Sequence, residues 1–478
     1  MDALEFAESI YLCLPYEPNE QQIKLIASLA RFVTQDNTGS PRVFLLNGYA
    51  GTGKTSLTGA LVQALRPTGI PVVLMAPTGR AAKVFGAYAS YPASTIHRRI
   101  YRTDTSAGPS DYSRSLAENK LHNAIFIVDE ASMIGNDTDG EGKSLLSDLI
   151  EYVYSAEGCR MILLGDTAQL PPVGLDKSPA MEPDTLRAHG LKVSHAVLTK
   201  VVRQDAHSGI LLNATRLRRQ MTVTPCPLPS LILNRFPDCS SIPSEELEDA
   251  ISQSYYSEGE GNTLVITRSN KRAVLFNLAI RSRILGREEE LCVGERIMVA
   301  KNNYLWSAKI PALDFVANGD MAIVERVYGT EEKYGFRFAD VSLQLYDRDI
   351  TFDCKIMLDT LISESPALEP ARTNALYMAA LNDTDLFAPT HSIKSRMRAL
   401  RSDPYVNALQ IKYAYAVTCH KAQGGQWPSV FIDPGFIPPD SSSIDILRWF
   451  YTALTRSTGS VRIINAPTEI TGGTSEQS

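Results

Sequence analysis

This sequence has neither a long apolar run, as a membrane protein would, nor closely spaced cysteine pairs, as a zinc-binding or disulfide-linked protein would. No apolar stretch approaches the roughly 20 residues that a helix needs to cross a bilayer, so no membrane partner is expected. The seven cysteines are scattered and never form C-x-x-C, which argues against a zinc site or a disulfide framework and favours reduced thiols. The first residues, M-D-A-L-E-F, lack a basic segment followed by an apolar one, so no secretory signal is expected and a cytoplasmic location is predicted.

An excess of positive charge is also missing, since the net charge is −6. That balance argues against a protein that coats nucleic acid by bulk charge, but it allows a groove lined locally with cations. Local basic clusters do occur, and each one taken alone is more typical of a solvated helix face: 98–102, 216–219, 271–272 and 394–401. With 478 residues, 44% of them apolar and 21% charged, the chain has the composition of a globular protein with more than one domain.

Short apolar runs separated by stretches able to form helices occur in two groups along the chain. The first group comprises Val43–Leu46, Val72–Met75, Ile125–Val128 and Met161–Leu164, and the second comprises Leu264–Thr267, Val430–Ile432 and Val461–Ile464. Fully apolar strands that alternate with helices predict parallel sheets covered on both faces. The sequence therefore predicts an α/β fold with two domains in tandem.

The predicted domain bounds follow from where this pattern changes. The first α/β domain is expected over 1–200, and the second is expected in two parts, 201–295 and 402–466. Between them, residues 296–401 change to short strands and predict a β-rich insertion. The Thr-, Gly- and Ser-rich end, 467–478, is predicted to be a flexible tail.

The segment G-Y-A-G-T-G-K-T follows the apolar run V-F-L-L and matches the phosphate-binding loop at every fixed position. Its glycines allow backbone N–H groups to surround phosphates at a helix N-terminus, where the helix dipole favours anions. A glycine-rich turn that binds no nucleotide is the alternative, and the full match in the context of strand, loop and helix disfavours it. Lys54 would reach the β- and γ-phosphates of ATP, and the Thr55 hydroxyl would ligate Mg²⁺. The residues predicted to bind ATP here are Gly48, Ala50, Gly51, Thr52, Gly53, Lys54, Thr55 and Ser56.

Two further polar strings follow apolar runs of the first group. V-D-E-A-S contains Asp129, where an acidic Mg²⁺ ligand belongs, and Glu130, which is placed to polarise the attacking water. Two acidic residues after a strand are a weak signal alone, and they become a strong one downstream of a phosphate-binding loop. L-G-D-T-A-Q-L-P-P-V-G contains Gln169, which is suited to contact the γ-phosphate because ligands bind beyond the carboxyl ends of parallel strands.

These strings and several later ones resemble, in order, the motifs of superfamily 1 helicases, particularly the RecD/Dda-like group that moves 5′ to 3′. The other strings are A-P-T-G-R-A-A, S-T-I-H-R, L-T-K-V-V-R-Q-D, T-R-S-N-K-R, Y-A-Y-A-V-T-C-H-K-A-Q-G-G-Q-W and R-W-F-Y-T-A-L-T-R-S. The resemblance implies two tandem RecA-like P-loop domains with a short pin insertion and a small SH3-like β-barrel insertion. The pin would lie within 98–122, where Tyr112 is the only aromatic residue beyond Tyr101, and N-G-D (Asn318–Asp320) would be the usual turn of the barrel.

The resemblance also assigns roles to single residues. Arg203 and Arg456 would reach the γ-phosphate from the second domain, where a guanidinium neutralises charge on the transferring group, and Gly424 would lie at the interdomain hinge. Gln22 aligns with an adenine-reading glutamine, and its spacing from Asn19 is equally that of a capping box. The implied DNA contacts are Pro77, Thr78, Gly79, Thr95, His97, Asn270, Thr418 and His420.

The function predicted from these motifs is that of an ATP-dependent DNA helicase that moves 5′ to 3′ on single-stranded DNA and unwinds duplex. Its cofactors would be ATP and Mg²⁺, and its partners single-stranded DNA, duplex junctions and proteins of replication or repair, with the chain acting as a monomer. A superfamily 1 RNA helicase and a P-loop ATPase that is not a helicase are the alternatives. Stimulation of ATP hydrolysis by DNA oligonucleotides, compared with RNA oligonucleotides, separates all three.

Overall fold

The computed structural model describes residues 2–35, 39–102, 115–136, 144–201, 208–308, 310, 313, 315–346, 350–387, 391–438 and 441–471. Arg203 and the central part of the predicted pin segment, 103–114 with Tyr112, lie outside these residues. Within them, no helix is both long and apolar enough to span a membrane.

The first domain contains seven helices and eight strands among the described residues. They are α1 Ala3–Leu12, α2 Glu20–Thr34, β1 Arg42–Gly48, α3 Lys54–Leu65, β2 Val72–Ala76, α4 Gly79–Ala89, β3 Ala93–Thr95, α5 Ile96–Ile100, β4 Tyr101–Arg102, β5 Ser115–Leu116, β6 Ile125–Val128, α6 Leu145–Tyr154, β7 Arg160–Gly165, α7 Pro183–Ala188 and β8 Lys192–Leu198. Short 3₁₀ turns lie at Arg66–Thr68, Ala131–Met133 and Pro179–Met181.

Six of these strands form a parallel sheet with the order β3-β2-β6-β7-β1-β8. Strand β1 shows why its sequence is apolar throughout: Val43 and Leu45 pack into the core on one face of the sheet, while Phe44 and Leu46 pack into the core on the other. Helices cover both faces, so each strand of the interior buries side chains in both directions. Strands β4 and β5 form a separate antiparallel pair at the base of the pin segment.

The second domain and its insertion contain the remaining elements. They are α8 Gly209–Gln220, β9 Cys239–Ile242, α9 Leu247–Ser257, β10 Thr263–Thr267, α10 Asn270–Ala279, β11 Arg296–Val299, β12 Met321–Lys333, β13 Phe336–Leu345, β14 Ile350–Met357, α11 Pro370–Leu381, α12 Ile393–Leu400, β15 Leu409–Tyr413, β16 Ala416–Thr418, α13 Cys419–Ala422, β17 Trp427–Asp433, α14 Ser443–Leu454 and β18 Ser457–Ile464. Short 3₁₀ turns lie at Ser244–Glu246, Glu260–Asn262 and Leu358–Thr360, and a π-helical turn, Ile280–Ile284, continues α10.

The second parallel sheet has the order β16-β10-β17-β18-β9. Strands β11 to β15 close into a five-stranded barrel, in which every pairing is antiparallel except that of β14 with β15. Two parallel α/β sheets and a closed β-barrel inserted in the second domain confirm the predicted fold class.

Two predicted bounds differ from the structure. The strand that closes the barrel, Leu409–Tyr413, lies beyond the predicted end of the insertion at residue 401. It runs through Ala414 and Tyr415 directly into β16, so no change in composition marks the boundary. The predicted tail also begins too early, because Ile470 is buried in the core of the second domain and its carbonyl accepts a hydrogen bond from the N–H of Leu231 (2.7 Å).

A buried ion pair joins the barrel to the second domain. Glu295, which precedes β11 and is fully buried, accepts two hydrogen bonds from Arg281 at 3.0 and 2.9 Å and one from Arg287 at 3.2 Å. The hydroxyl of Tyr415, between β15 and β16, donates to the same carboxylate at 2.8 Å. Desolvating a carboxylate is unfavourable unless its oxygens are fully paired, and here several donors satisfy them.

Replacing Glu295 with alanine should lower the free energy of unfolding by about 3–5 kcal/mol, because Arg281 would keep a buried charge without its carboxylate. Urea denaturation followed by circular dichroism measures this change. Glu248→Ala is the matched control, since it breaks the exposed pair with Arg283 and should leave the unfolding midpoint unchanged. Equal midpoints for the two variants would show that the buried pair does not hold the barrel in place.

Candidate active site

The loop between β1 and α3 forms a ring of backbone groups at the carboxyl edge of the first sheet. Gly51 and Gly53 have φ values of +75° and +80°, which side-chain-bearing residues rarely adopt. A Cβ atom on Gly48 would lie 2.6 Å from Cγ of Lys54, so the lysine can fold over the loop only because this residue is glycine. The Lys54 ammonium donates to the Gly48 carbonyl, which keeps it above the ring. This geometry suits a chain of phosphates.

An acidic pair follows β6 on the same edge. The N–H of Glu130 donates to the Asp129 carboxylate at 2.9 Å, and Glu130 has a φ of +52°. Burial, and secondly the neighbouring Glu130 carboxylate, raise the pKa of Asp129 to about 7. A half-buried carboxylate beside a second carboxylate fits a cation, and Thr55 lines the same cavity.

The donor set also fits Mg²⁺ in particular. Among the described residues, no group of three His, Cys, Asp or Glu side chains could hold a metal by itself. Mg²⁺ is usually bound through one or two protein oxygens together with phosphate oxygens and water, which is what Asp129 and Thr55 would provide.

Asp166 and Gln169 follow β7 and complete the first domain's side of the cavity. Asp166 is buried and accepts a hydrogen bond from the N–H of Ala168 at 3.0 Å. Gln169 is also buried, and its Oε1 atom has no hydrogen-bond partner among the described protein atoms. An unpaired buried amide oxygen is energetically unfavourable. The Oε1 atom of Gln169 can therefore still accept a hydrogen bond at the cavity.

The second domain closes the cavity, which has a volume of about 450 Å³. Arg456 lines it and is buried, with Nε donating to the Thr452 carbonyl at 3.1 Å and Nη1 to the Gly425 carbonyl at 3.3 Å. Gly424 lines it as well, and a Cβ atom there would lie 3.0 Å from Oγ1 of Thr78 in the first domain. The two domains therefore approach so closely at residue 424 that a side chain would have to displace its neighbours.

Two hydrogen bonds to the backbone of one residue, here called the Leu170 clasp, join the domains behind the cavity. The N–H of Leu170 donates to Oγ1 of Thr452 at 2.8 Å, and Nε2 of Gln423 donates to the Leu170 carbonyl at 2.7 Å. Leu170 belongs to the first domain and directly follows Gln169, whereas Thr452 and Gln423 belong to the second. A movement of either domain is thereby transmitted to the residue next to Gln169.

The predicted nucleotide residues thus separate into two sets. Those that line the common cavity are Ala50, Gly51, Gly53, Lys54, Thr55, Ser56, Asp129, Glu130, Gln169, Gly424 and Arg456. Gly48, Thr52 and Gln22 do not line it. Sequence reasoning missed Tyr16, which does line it and whose hydroxyl lies over Gly53.

Gln22 is fully buried, and its amide is engaged within the protein. Its Oε1 accepts from the N–H of Asn19 at 3.0 Å, which completes the capping box expected from the sequence. Its Nε2 donates to the carbonyl of Thr52 and to the hydroxyl of Tyr16, both at 3.1 Å. The amide therefore supports the phosphate-binding loop from behind, and its reading of adenine stays a prediction.

The predicted DNA-contact residues occupy corresponding edges of the two sheets. In the first domain, Thr78 and Thr95 are the N-caps of α4 and α5, after the adjacent strands β2 and β3. In the second domain, Asn270 begins α10 after β10, and Thr418 ends the adjacent strand β16. Pro77 and Gly79 flank Thr78, and Gly79 begins α4.

The same local pattern is repeated at the two edges. T-I-H-R at β3 and T-C-H-K at β16 each end an edge strand with a threonine and place the histidine in the short helix that follows. His97 is half-buried and His420 is exposed. The two domains thus present equivalent Thr-x-His groups on one side of the molecule.

A segment of the barrel between β11 and β12 lies against these groups, which the sequence did not predict. The ring of Phe315 lies 6.1 Å from that of His97 and stacks on Tyr304 at 5.2 Å. The Lys421 ammonium donates to the side chain of Asn318 in the same segment. These contacts join residues far apart in the chain, so no local sequence signal could have indicated them.

The chain matches two known protein families, one in each half. The family described as an AAA domain matches residues 24–223, and the UvrD-like helicase C-terminal domain matches residues 413–464. Together with the ordered motifs, these matches show that the chain is similar to superfamily 1 helicases of the RecD/Dda-like group.

Similar proteins include the ATP-dependent RecD2 DNA helicase of Deinococcus radiodurans, 36% identical over 138 residues that cover 29% of this chain and 17% of that protein. The ATP-dependent DNA helicase dda of Enterobacteria phage T4 is 34% identical over 27% of this chain and 28% of its own length. The matched region thus spans less than a third of either relative. A crystal structure of the Pif1 helicase from Bacteroides in complex with ADP-AlF3 and single-stranded DNA aligns with 95% of this chain and 94% of its own at 17% identity, with a TM-score of 0.48.

Replacing Gln22 with alanine tests whether this side chain supports the phosphate-binding loop or recognises adenine. Because its amide holds the carbonyl of Thr52, we expect affinity for ATP and for GTP to fall by the same factor, about fivefold for one lost buried hydrogen bond. Titration of fluorescent analogues of both nucleotides measures the two factors. A loss confined to ATP would instead assign adenine recognition to Gln22.

Proposed function

We propose that this protein uses ATP hydrolysis in the cleft between its two α/β domains to move 5′ to 3′ along single-stranded DNA and to unwind duplex. The observation that carries the proposal is the shared cavity. Lys54 and Gln169 reach it from one domain, and Arg456 reaches it from the other. A ligand at this position is bound by both domains at once, so its removal weakens the contact between them.

Each group at the cavity has a role that its chemistry suits. Lys54 neutralises the β- and γ-phosphates, and Glu130 polarises the attacking water. Asp129 and Thr55 would hold Mg²⁺, which, when bound, neutralises charge on the phosphate oxygens. The free amide oxygen of Gln169 would orient the attacking water beside the γ-phosphate.

Two arginines are proposed to act from the second domain. Arg456 is held in place by two backbone carbonyls, so its guanidinium is oriented before the phosphate arrives. The role of Arg203 rests on the resemblance of L-T-K-V-V-R-Q-D to the family motif. Guanidinium groups from the opposite domain favour hydrolysis only when the cleft is closed.

Single-stranded DNA is proposed to run across the two Thr-x-His edges. Threonine hydroxyls and the N–H groups of the helices that follow them bind phosphates without reading sequence, which suits a protein that moves along any strand. Thr78 and Asn270 extend the contact to the neighbouring strand of each sheet. The stacked Tyr304 and Phe315 rings lie beside His97, where bases could pack.

Coupling between the nucleotide cavity and the proposed DNA-contact residues follows from the contacts at the cleft. Gly424 lines the nucleotide cavity and lies so close to Thr78, a proposed DNA contact, that an added Cβ atom would be 3.0 Å from its Oγ1, so closing the cleft and gripping DNA involve neighbouring residues. A difference of about 1–3 kcal/mol in DNA affinity between the open and closed states is sufficient for stepwise movement. The relatives named as ATP-dependent DNA helicases favour DNA over RNA as the strand. A monomeric form, a cytoplasmic location and partners in replication or repair remain predictions.

A strand-displacement assay with tailed duplexes tests the proposal. The protein with ATP and Mg²⁺ should release the strand from a duplex with a 5′ tail and leave a duplex with only a 3′ tail intact. Single-stranded DNA should stimulate ATP hydrolysis at least about tenfold more than RNA of the same sequence. Glu130→Gln is the matched control, which should bind ATP but neither hydrolyse it nor separate strands.

Unwinding from the 3′ tail alone would contradict the polarity and leave the helicase function intact. Equal stimulation by RNA would favour the RNA helicase alternative. Hydrolysis that is insensitive to either nucleic acid would favour a P-loop ATPase that is not a helicase.

A further inference from the structure

Tyr451 of the second domain connects two elements of the first domain's nucleotide site. Its hydroxyl donates to Oδ2 of Asp166 at 2.7 Å and accepts the N–H of Ala50, in the phosphate-binding loop, at 2.9 Å. Tyr451 and Asp166 are each only 1% exposed. A single hydroxyl group thus satisfies a buried carboxylate that follows β7 and a loop N–H that follows β1.

The phenol is held in one protonation state in this environment. Burial and the neighbouring Asp166 carboxylate raise the pKa of Tyr451 well above its usual value, so the hydroxyl keeps its proton and donates it to Asp166. Tyr451 is absent from the lining of the cavity, whereas Ala50 and Asp166 line it. The hydroxyl therefore binds both groups from the side of the second domain and leaves the cavity itself to the ligand.

Tyr451 is also close in the chain to Arg456. Its carbonyl accepts hydrogen bonds from the N–H and the Oγ1 of Thr455, at 3.1 and 2.8 Å, and that Oγ1 accepts from Nη2 of Arg456 at 3.3 Å. Nε of Arg456 is bound to the carbonyl of Thr452, one residue beyond Tyr451. The end of α14 thus forms one rigid unit that carries the tyrosine hydroxyl and the guanidinium.

From this geometry we infer that Tyr451 is a positioning residue that sets where Arg456 stands relative to the phosphate-binding loop. The inference rests on the proposed function and gives a role to a residue of the R-W-F-Y-T-A-L-T-R-S string to which the resemblance assigns none. Two hydrogen bonds fix α14 to Ala50 and Asp166, and α14 in turn fixes Arg456. The hydroxyl lies outside the cavity lining, so the effect that it exerts through Arg456 falls on ligands that reach the arginine.

The full chain with Tyr451→Phe tests the inference, because this change removes the hydroxyl and keeps the ring. ADP does not need Arg456, so its dissociation constant should stay within about twofold of the unsubstituted protein. The dissociation constant for ATPγS should rise at least about fivefold, and kcat with single-stranded DNA should fall about tenfold, a loss typical of a misplaced charge-stabilising group. Fluorescence titration and steady-state kinetics give these values.

Tyr415→Phe is a matched control. The Tyr415 hydroxyl also bridges a buried carboxylate, Glu295 at 2.8 Å, and a backbone N–H, that of Arg296 at 3.2 Å, but it lies at the junction with the barrel. This variant should be less thermally stable, and its dissociation constants for ADP and ATPγS should change by the same factor. It therefore shows what the loss of a buried tyrosine hydroxyl does when no nucleotide group is involved.

Asp166→Asn provides a second test if Tyr451→Phe does not fold. It weakens the same hydrogen bond by removing the acceptor's charge. Its dissociation constant for ATPγS should therefore rise more than that for ADP, by a smaller factor than in Tyr451→Phe. When both single variants fold, non-additive effects in the double variant would assign the effect to the pair.

Two results would overturn the inference: equal weakening of ADP and ATPγS binding, which a merely structural role predicts, or binding and kcat unchanged within twofold. The binding measurements need no hydrolysis. If the unsubstituted protein failed to hydrolyse ATP, the proposed function would fail while the comparison of ADP with ATPγS would still decide the role of Tyr451.

Discussion

The Leu170 clasp is the contact on which the architecture of the cleft depends. Both backbone polar groups of Leu170 in the first domain are bound by side chains of the second, Thr452 and Gln423. Since Gln169 precedes Leu170 and Arg456 follows Thr452 by four residues, the clasp fixes the spacing between a proposed γ-phosphate contact of each domain. Tyr451 adds a second connection to the phosphate-binding loop itself. The nucleotide site is therefore complete only when the two domains are together.

The same approach of the domains connects the nucleotide cavity with the proposed DNA surface. Gly424 lies so close to Thr78, the N-cap of α4, that an added Cβ atom would be 3.0 Å from its Oγ1. Arg80, in the first turn of that helix, lies over the ring of Trp427 at 3.9 Å. The barrel contributes through the segment that carries Phe315 and Asn318. The buried Glu295 network holds that barrel on the second domain, so the DNA surface depends on it for one of its sides.

Much of the fold follows from local sequence, and the exceptions have a common cause. All seven strands predicted from apolar runs exist, and they are the interior strands of the two sheets. The four strands of these sheets that were missed, β3, β8, β9 and β16, are the edge strands. An edge strand has a neighbour on only one side, so β8 tolerates the polar sequence K-V-S-H-A-V-L and gives no apolar run.

The residues of the candidate site also fall into those that local sequence predicts and those that it does not. Lys54, Asp129 and Gln169 were predictable because each follows an apolar strand, and parallel strands bring their carboxyl ends to one edge. Arg456 and His420 were recognisable only by family resemblance, since their surroundings come from the opposite domain or the barrel. Tyr16 gave no signal, and Tyr451 lies in a family-like string that assigns it no role. Both roles arise from contacts between distant parts of the chain.

Closure of the cleft by the γ-phosphate is the central claim, and an interdomain distance measurement tests it most directly. Spin labels carried by non-natural amino acids at Leu12 and Tyr256, which are 82% and 95% exposed, would report on the first and second domains. Double electron–electron resonance with single-stranded DNA should give a shorter, narrower distance distribution with ATPγS than with ADP. Identical distributions with both nucleotides, in a protein that still hydrolyses ATP, would contradict the account.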